Sequence, residues 1–435
     1  MKEAKKRAQD MLKFIEACPS CYHVVARLGE TYEKNGFIRL DEKEAWELEW
    51  GKSYFVTRND SAIIAFRLPL GKEEVKGYHV AAAHCDSPSF KIKENPQRNV
   101  AGKCITLNVE KYGGMIHSTW MDRPLSVAGR LAVENEHGEI ETKLVCVDRD
   151  LLVIPSLAIH MNRDVNKGVE LKPQTDLQPL FAMQEEKDQA SAFMKVVAKA
   201  AGVKPEQILG HDLFLYVRDK GRVFGANDEF VLSPKLDDLQ CVYAVSEGLV
   251  RACENIAMNK YINVAAVFDN EEVGSGSNQG ADSTFFEDVL LRMGEALSVS
   301  PSTQRQWIAS GFLISADNAH AVHPNHPEKA DPTNQPCLNG GPVLKFNSAQ
   351  KYTTDGVTAA MLRRICKLAG VPCQTYVNHS DVPGGSTLGN ISTSHVSIPS
   401  ADIGMPQLAM HSAVETGGTL DTDFAIKLMQ QFFSE

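Results

Sequence analysis

Apolar positions near the N-terminus recur at helical spacing. Ala4, Ala8, Met11, Leu12 and Ile15 fall on one side, and Lys2, Lys5, Lys6 and Arg7 read as the solvated face of an amphipathic surface helix. The pattern then shortens to strand-like runs at 54–57, 62–68 and 78–83. From about residue 225 onward, apolar runs alternate with helical stretches: a β-branched strand at 263–268, a helix at 285–296, a strand at 312–315, a helix at 357–368, a strand at 373–377 and a closing helix at 424–433. Such alternation predicts an α/β fold, a mostly parallel sheet flanked by helices. The middle of the chain breaks the pattern. Short strand candidates at 105–109, 127–133, 143–147 and 213–217 are punctuated by glycines and prolines. The expectation is one α/β domain formed by residues 1–91 and 225–435, interrupted by a β-rich insertion over 92–224.

Composition narrows the function. The chain has 435 residues, 45 Lys plus Arg against 55 Asp plus Glu, and a formal net charge of −10. That balance argues against nucleic-acid binding, which calls for a basic face. With 43% hydrophobic and 23% charged residues, the chain can bury a large core without a metal or disulfide staple. No apolar run is long enough to span a membrane. Asp10, Lys13 and Glu16 interrupt any signal-peptide core, so a cytoplasmic protein is expected. Ten cysteines are scattered through the sequence. Cys18 and Cys21 have CxxC spacing, but neither a second pair nor an adjacent βαβ pattern accompanies them, and the spacing reads as coincidence.

Five places put metal-capable side chains at or near the end of an apolar run. His84 follows the 78–83 strand, with Asp86 two residues on as an acceptor that could orient its ring. Asp237 and Asp238 open a helix, where capping is an equally good use of a carboxylate. Glu271 and Glu272 follow the 263–268 strand. Adjacent carboxylates repel unless a cation compensates, and a divalent metal could hold one while the other takes a proton from water. Asp317 follows 312–315, and His320, His323 and His326 come soon after it. His411 stands alone. Each signal is weak singly, and a solvated or structural reading competes with each.

Together these residues fall where an α/β fold places its sites, at strand carboxyl ends. Histidine and carboxylate donors without thiolate suit zinc, cobalt or manganese, and a hydrolytic pair of ions would sit about 3.5–4 Å apart. The Gly274–Gly280 run misses both standard phosphate-loop fingerprints, and Glu271 and Glu272 would repel phosphate. No Gly-x-Ser-x-Gly elbow offers a serine nucleophile.

In order along the chain, these motifs resemble the M18 family of metallo-aminopeptidases, the aspartyl aminopeptidase family. The resemblance runs through Ala83-His84-Cys85-Asp86-Ser87-Pro88, Gly113-Gly114 with Ser118-Thr119-Trp120-Met121-Asp122-Arg123, and Ala158-Ile159-His160. It continues through Leu236-Asp237-Asp238, Asp269-Asn270-Glu271-Glu272-Val273-Gly274-Ser275, the stretch from Asp317 to Asn325, and Pro406-Gln407-Leu408-Ala409-Met410-His411-Ser412. It implies a zinc-peptidase-like fold in which His84, Asp237, Glu272, Asp317 and His411 hold two divalent ions, zinc with cobalt or manganese as substitutes, Asp237 bridging them. Glu271 would be the general acid and base, and Asp86 the partner of His84. The inserted module would be a dimerisation domain, and the assembly a tetrahedral dodecamer built from dimers. His160 would reach a neighbouring subunit's site, and Lys345 would line a pocket for an acidic side chain of a peptide substrate with a free N-terminus. A related deacylase or carboxypeptidase would share the metal logic without needing that free amine. A metal-stabilised scaffold would need no free carboxylate beside the ions.

Overall fold

The computed structural model describes residues 2–184, 192–252, 260–382, 384–385 and 387–435. The N-terminal pattern forms the helix Lys2–Ala17, which buries Ala4, Ala8, Met11, Leu12, Phe14 and Ile15. The helices expected at 285–296, 357–368 and 424–433 appear as Phe285–Ala296, Gly356–Ala369 and Asp421–Phe433.

Nine strands form the main sheet, in the order Ile38–Leu40, Ser53–Arg58, Ala62–Arg67, Tyr261–Phe268, Gly77–His84, Phe312–Ala316, Ser400–Gly404, Val343–Phe346 and Gln374–Val377. The four central strands, from Tyr261–Phe268 to Ser400–Gly404, run parallel. Antiparallel pairings flank them on either side. Every residue of Gly77–His84 is buried, as expected for a strand covered on both faces. Its side chains alternate between two cores. Ala81 and Ala83 pack with apolar residues of Lys2–Ala17, Leu236–Ala252, Gly356–Ala369 and Asp421–Phe433. Val80 and Ala82 pack with Phe285, Phe286, Val289 and Met293 on the opposite side. Each fully buried Val, Leu, Ile or Phe contributes roughly 1.5–3 kcal/mol, so these two cores carry most of the burial energy. Gly248 lies where helix Asp421–Phe433 crosses Leu236–Ala252. A Cβ there would come within 2.3 Å of the Met429 Cβ, so the close crossing requires glycine.

The β-rich middle folds as a separate antiparallel sheet. Its order is Ile140–Cys146, Leu125–Glu134, Ile208–Val217, Ser89–Val100, Cys104–Tyr112 and Leu180–Met183. The first of these strands starts at Ser89, a little before the expected boundary at 92. A third sheet had no counterpart in the sequence reading. It joins Arg222–Phe224, Phe230–Ser233, Glu415–Gly418, Pro406–Leu408 and the two-residue strand Ala319–His320. Strands this short leave no periodic trace, and the pairings that join the sheet's two hairpins and add Ala319–His320 are long-range.

Cys18 and Cys21 lie in the first core. Burial pushes the Cys18 thiol up to about 12 and raises that of Cys21 as well, which fits inert packing rather than redox chemistry. Cys253 lies outside the described residues. Among the described residues, no helix is long and apolar enough to cross a membrane.

Candidate metal centre

Three adjacent parallel strands open on one crevice. His84 ends Gly77–His84, Asp317 follows Phe312–Ala316, and Glu271 and Glu272 stand in a short 3-10 turn after Tyr261–Phe268. Asp237 comes from the start of helix Leu236–Ala252, where Asp237 and Asp238 depart from helical geometry. His411 comes from a tight turn after Pro406–Leu408, at a φ of 63°. The sequence therefore brings residues separated by more than 300 positions to one point.

Asp237 is at the centre of this point. Its Oδ1 lies 3.4 Å from His84 Nε2, and its Oδ2 lies 3.4 Å from His411 Nε2. His411 Nε2 is also 3.4 Å from Glu272 Oε1. These separations are long for hydrogen bonds. They match the roughly 3.3 Å between neighbouring ligand atoms around a tetrahedral ion with bonds near 2.0–2.1 Å. Asp237 Oδ1 and Glu272 Oε1 are buried and accept no hydrogen bond. His84, Asp237 and Glu272 place ligand atoms within 4.8 Å of one another, and so do Asp237, Asp238 and Asp317. The donor set and its unsatisfied atoms fit a divalent cation. The alternative use of Asp237 and Asp238 as helix caps is not what these side chains do: Asp238 Oδ2 instead accepts the His84 backbone N–H at 3.3 Å.

Buried polar groups fix the backbones that carry these side chains. Asp86 accepts the N–H of Glu271 and of Glu272, each at 3.1 Å, and the Tyr112 hydroxyl at 2.7 Å. It also orients His84, whose Nδ1 is 3.1 Å from the Asp86 carbonyl oxygen and 3.3 Å from Oδ1. Glu415 does the same on the other side, accepting the His411 N–H at 2.7 Å and the Asp237 N–H at 3.0 Å. Asn318, next to Asp317, donates to the Leu236 carbonyl at 2.9 Å and to Gln407 Oε1 at 2.9 Å. The inserted sheet takes part through Tyr112 and through Gly113. At a φ of 74°, Gly113 leaves room for Glu272, whose Cβ would lie 3.1 Å from a Cβ at that position. Glu415, Tyr112 and Asn318 were not singled out from the sequence. Their roles are hydrogen bonds to backbone and side-chain groups mostly far off in sequence, which no local spacing reports.

The electrostatics are one-sided. Burial, and then the charges of Asp317, Asp86 and Asp237, push the Glu271 carboxyl up to about 8 against the opposing pull of His84. Burial likewise raises Glu272, Asp238 and Asp317, with neighbouring carboxylates adding to each. Burial works the same way on Asp237, but the facing imidazoles of His411 and His84 outweigh it and hold Asp237 well below the usual carboxylate range. The protein alone thus concentrates negative charge that a cation would neutralise.

A cavity of about 310 Å³ opens from this point, lined by His84, Asp237, Glu271, Asp317, Lys345 and His411 together with His320, Tyr352, Tyr376 and Thr387. Lys345 is 3% exposed. Its Nζ donates to the Asn318 carbonyl at 2.8 Å and lies 3.7 Å from Asp317 Oδ1. His323 and His326 stand outside on the surface. His160 is exposed on a loop of the inserted module and does not line the cavity of its own chain.

Residues 14–433 match the family model described as aminopeptidase I zinc metalloprotease (M18). A protein of Clostridium acetobutylicum named probable M18 family aminopeptidase 2 is 44% identical, covering 100% of both chains. Aspartyl aminopeptidase 1 of Schizosaccharomyces pombe is 38% identical over 99% of this chain and 95% of its own. Among solved structures, the cryo-EM structure of the Ape4 and Nbr1 complex superposes with a TM-score of 0.96 at 38% identity, covering 99% of this chain and 86% of that one. The mApe1 dodecamer of S. cerevisiae gives 0.87 at 27% identity over 99% and 97% of the two chains.

The double hydrogen bond from Glu415 yields a prediction. In Glu415→Gln the amide nitrogen must face one of the two backbone N–H groups. Divalent-metal affinity should fall about 10–100-fold with the helix content unchanged, read by competition with a chromophoric chelator. Wild-type affinity in this variant would show that Glu415 does not hold the two backbones.

Proposed function

The chain belongs to the M18 family of aminopeptidases, and on that premise we propose that it removes N-terminal residues, preferring Asp or Glu, from peptides with a free N-terminus by water activated at two divalent ions. The observation that carries this reading is Asp237, whose two oxygens each face a different imidazole at 3.4 Å. A carboxylate so placed could serve two ions, which His84, Asp317, His411 and Glu272 would help to hold. Zinc fits the donors and the family, and cobalt or manganese would suit the same set.

Ions held there would supply Lewis acidity and a water of lowered pKa. The remaining work falls to this chain's own groups. Glu271 faces the cavity and takes the proton from the attacking water. Its raised proton affinity lets it hold that proton and then give it to the departing amine. Asp86 keeps the Glu271 backbone in place through the N–H at 3.1 Å. Lys345, fixed by the Asn318 carbonyl, presents its remaining charge to an acidic side chain of the substrate.

The inserted sheet is the dimerisation element in this reading. Its loop exposes Leu157, Ile159, Met161, Val165 and Val169, an apolar surface suited to contact with another copy. His160 lies within that run and would complete a neighbour's cavity. The mApe1 dodecamer supports a dodecamer here.

Four experiments test these roles. Glu271→Gln should lower kcat by on the order of 10²–10⁴ at full metal content by elemental analysis, and more than a tenth of wild-type kcat would exclude Glu271 as the base. An Nα-acetylated peptide should be inert, whereas a deacylase or carboxypeptidase would process it. Lys345→Ala should reduce kcat/KM for N-terminal Asp or Glu about 10–100-fold more than for Leu or Ala. Any disturbance of Asp317 would lower all substrates alike, so the ratio isolates the pocket. Mixing inactive His160→Ala and Glu271→Gln chains should regenerate activity, because a mixed oligomer can pair an intact Glu271 with an intact partner His160. Two inactive pools that stay inactive after co-assembly would rule out the in-trans role.

A further inference from the structure

One wall of the cavity depends on a carboxylate that does not itself line it. Asp402 lies on strand Ser400–Gly404, beside the strand that leads to Asp317 and opposite Ser315 in register. It is fully buried. Its Oδ2 accepts the Thr353 N–H at 2.5 Å and the Thr353 hydroxyl at 2.8 Å. Its Oδ1 accepts the Thr387 hydroxyl at 2.6 Å. Its own N–H donates to Thr354 Oγ1 at 2.9 Å. The two segments held in this way carry Tyr352 and Thr387, which line the cavity next to Lys345. A further bond ties them together, from Lys351 Nζ to the Gly384 carbonyl at 2.8 Å. The side chain has no room to spare, since a Cβ on Gly389 would come within 2.6 Å of Asp402 Oδ1. Burying a carboxylate at this depth is costly unless its oxygens are filled by donors, and here the donors come from both segments.

We propose that Asp402 is a positioning residue for substrate, a single anion that docks the Tyr352 and Thr387 segments against the sheet and so sets the shape of the pocket around the substrate's first side chain. The inference rests on the aminopeptidase reading and adds a specificity determinant to it. None of its hydrogen bonds reaches Glu271 or the candidate ligands, so its main effect falls on binding, while its charge also bears on Asp317 and Lys345.

The test uses the purified, metal-loaded full chain. In Asp402→Asn the anion is lost, and the Thr387 segment trades a charged acceptor for an amide donor that its hydroxyl must turn to accept. KM for a peptide with N-terminal Asp should rise about tenfold or more while kcat stays within about threefold. Metal stoichiometry should not change, and amide hydrogen exchange should quicken at 351–354 and 387–389. Thr353 does not line the cavity, so a second pair checks the same link. Thr353→Val should raise KM in the same direction, and Thr353→Ser, which keeps the hydroxyl, should restore it. Unchanged KM and exchange in Asp402→Asn would overturn the proposal, as would a loss of kcat together with loss of metal. If Asp402→Asn does not fold, equal KM values for the Val and Ser variants of Thr353 overturn it. Failure of the aminopeptidase reading is distinguishable: wild type would then not turn over free N-terminal peptides at all, while the exchange difference would persist.

Discussion

Crowded carboxylate charge at the ends of three parallel strands is the constraint to which the surrounding structure answers. Asp237, Asp238, Glu271, Glu272 and Asp317 share one crevice with three imidazoles and Lys345. Each buried charge would cost several kcal/mol if left without a partner. The protein meets part of this cost with its own cations. Lys345 lies 3.7 Å from Asp317, and burial, though it works against the charged form, is overcome there by the neighbouring carboxylates, so the lysine stays firmly protonated. The rest is left for divalent cations, and the raised proton affinities of Glu271, Glu272, Asp238 and Asp317 measure what remains.

A site that repels itself has to be held from outside, and backbone amides do the holding. Asp86 and Glu415 each accept two peptide N–H groups belonging to candidate ligand or base residues. This arrangement turns side-chain acceptors into backbone rigidity. It also explains the third sheet, whose strand Glu415–Gly418 pairs with Phe230–Ser233 just before Asp237 and with Pro406–Leu408 just before His411. The sheet is small, but it fixes in register the two segments that meet at Asp237. The inserted sheet is tied into the same centre by the Tyr112 hydroxyl, which donates to Asp86 and accepts from Asn270 Nδ2 at 2.9 Å. The catalytic crevice and the inserted module are therefore mechanically continuous.

This division explains what could be read from the sequence. His84, Glu271, Glu272 and Asp317 each follow a buried strand, so period and chemistry coincide and the residues were legible from local pattern. His411 follows a three-residue strand; the residues mark it only as a lone histidine, and the family resemblance alone gives it a role. Asp237 was ambiguous, because an acidic residue at a helix start usually caps it. The structure resolves the ambiguity through the non-helical backbone at Asp237 and Asp238, which turns the side chain towards the imidazoles. Glu415, Asn318 and Asp402 were invisible for a common reason. Each bonds backbone or hydroxyl groups far away in sequence, and a lone buried polar residue in an apolar strand carries no spacing signal. The main sheet was largely legible, but the third sheet was not, since strands of two to four residues are defined by their partners alone.

The same geometry separates two neighbouring glutamates that composition cannot tell apart. Asp86 holds the backbone N–H of both at equal distance, so any difference lies in where the side chains go from a common anchor. Glu272 turns inward, its Oε1 buried 3.4 Å from His411 Nε2 and its Cβ against Gly113. Glu271 turns outward to line the cavity. A ligand needs the first environment, enclosed and shared with other donors. A group that must accept a proton and return it needs the second, open to water and substrate yet surrounded by enough negative charge to bind the proton well. Exchanging the two roles would require the 3-10 turn Glu271–Val273 to rotate, which the left-handed residues at its ends, Asn270 and Gly274, and the Asp86 carboxylate beneath it oppose. The proposed roles of base and ligand thus rest on how one turn is anchored, and the identity of the side chains alone would not have suggested them.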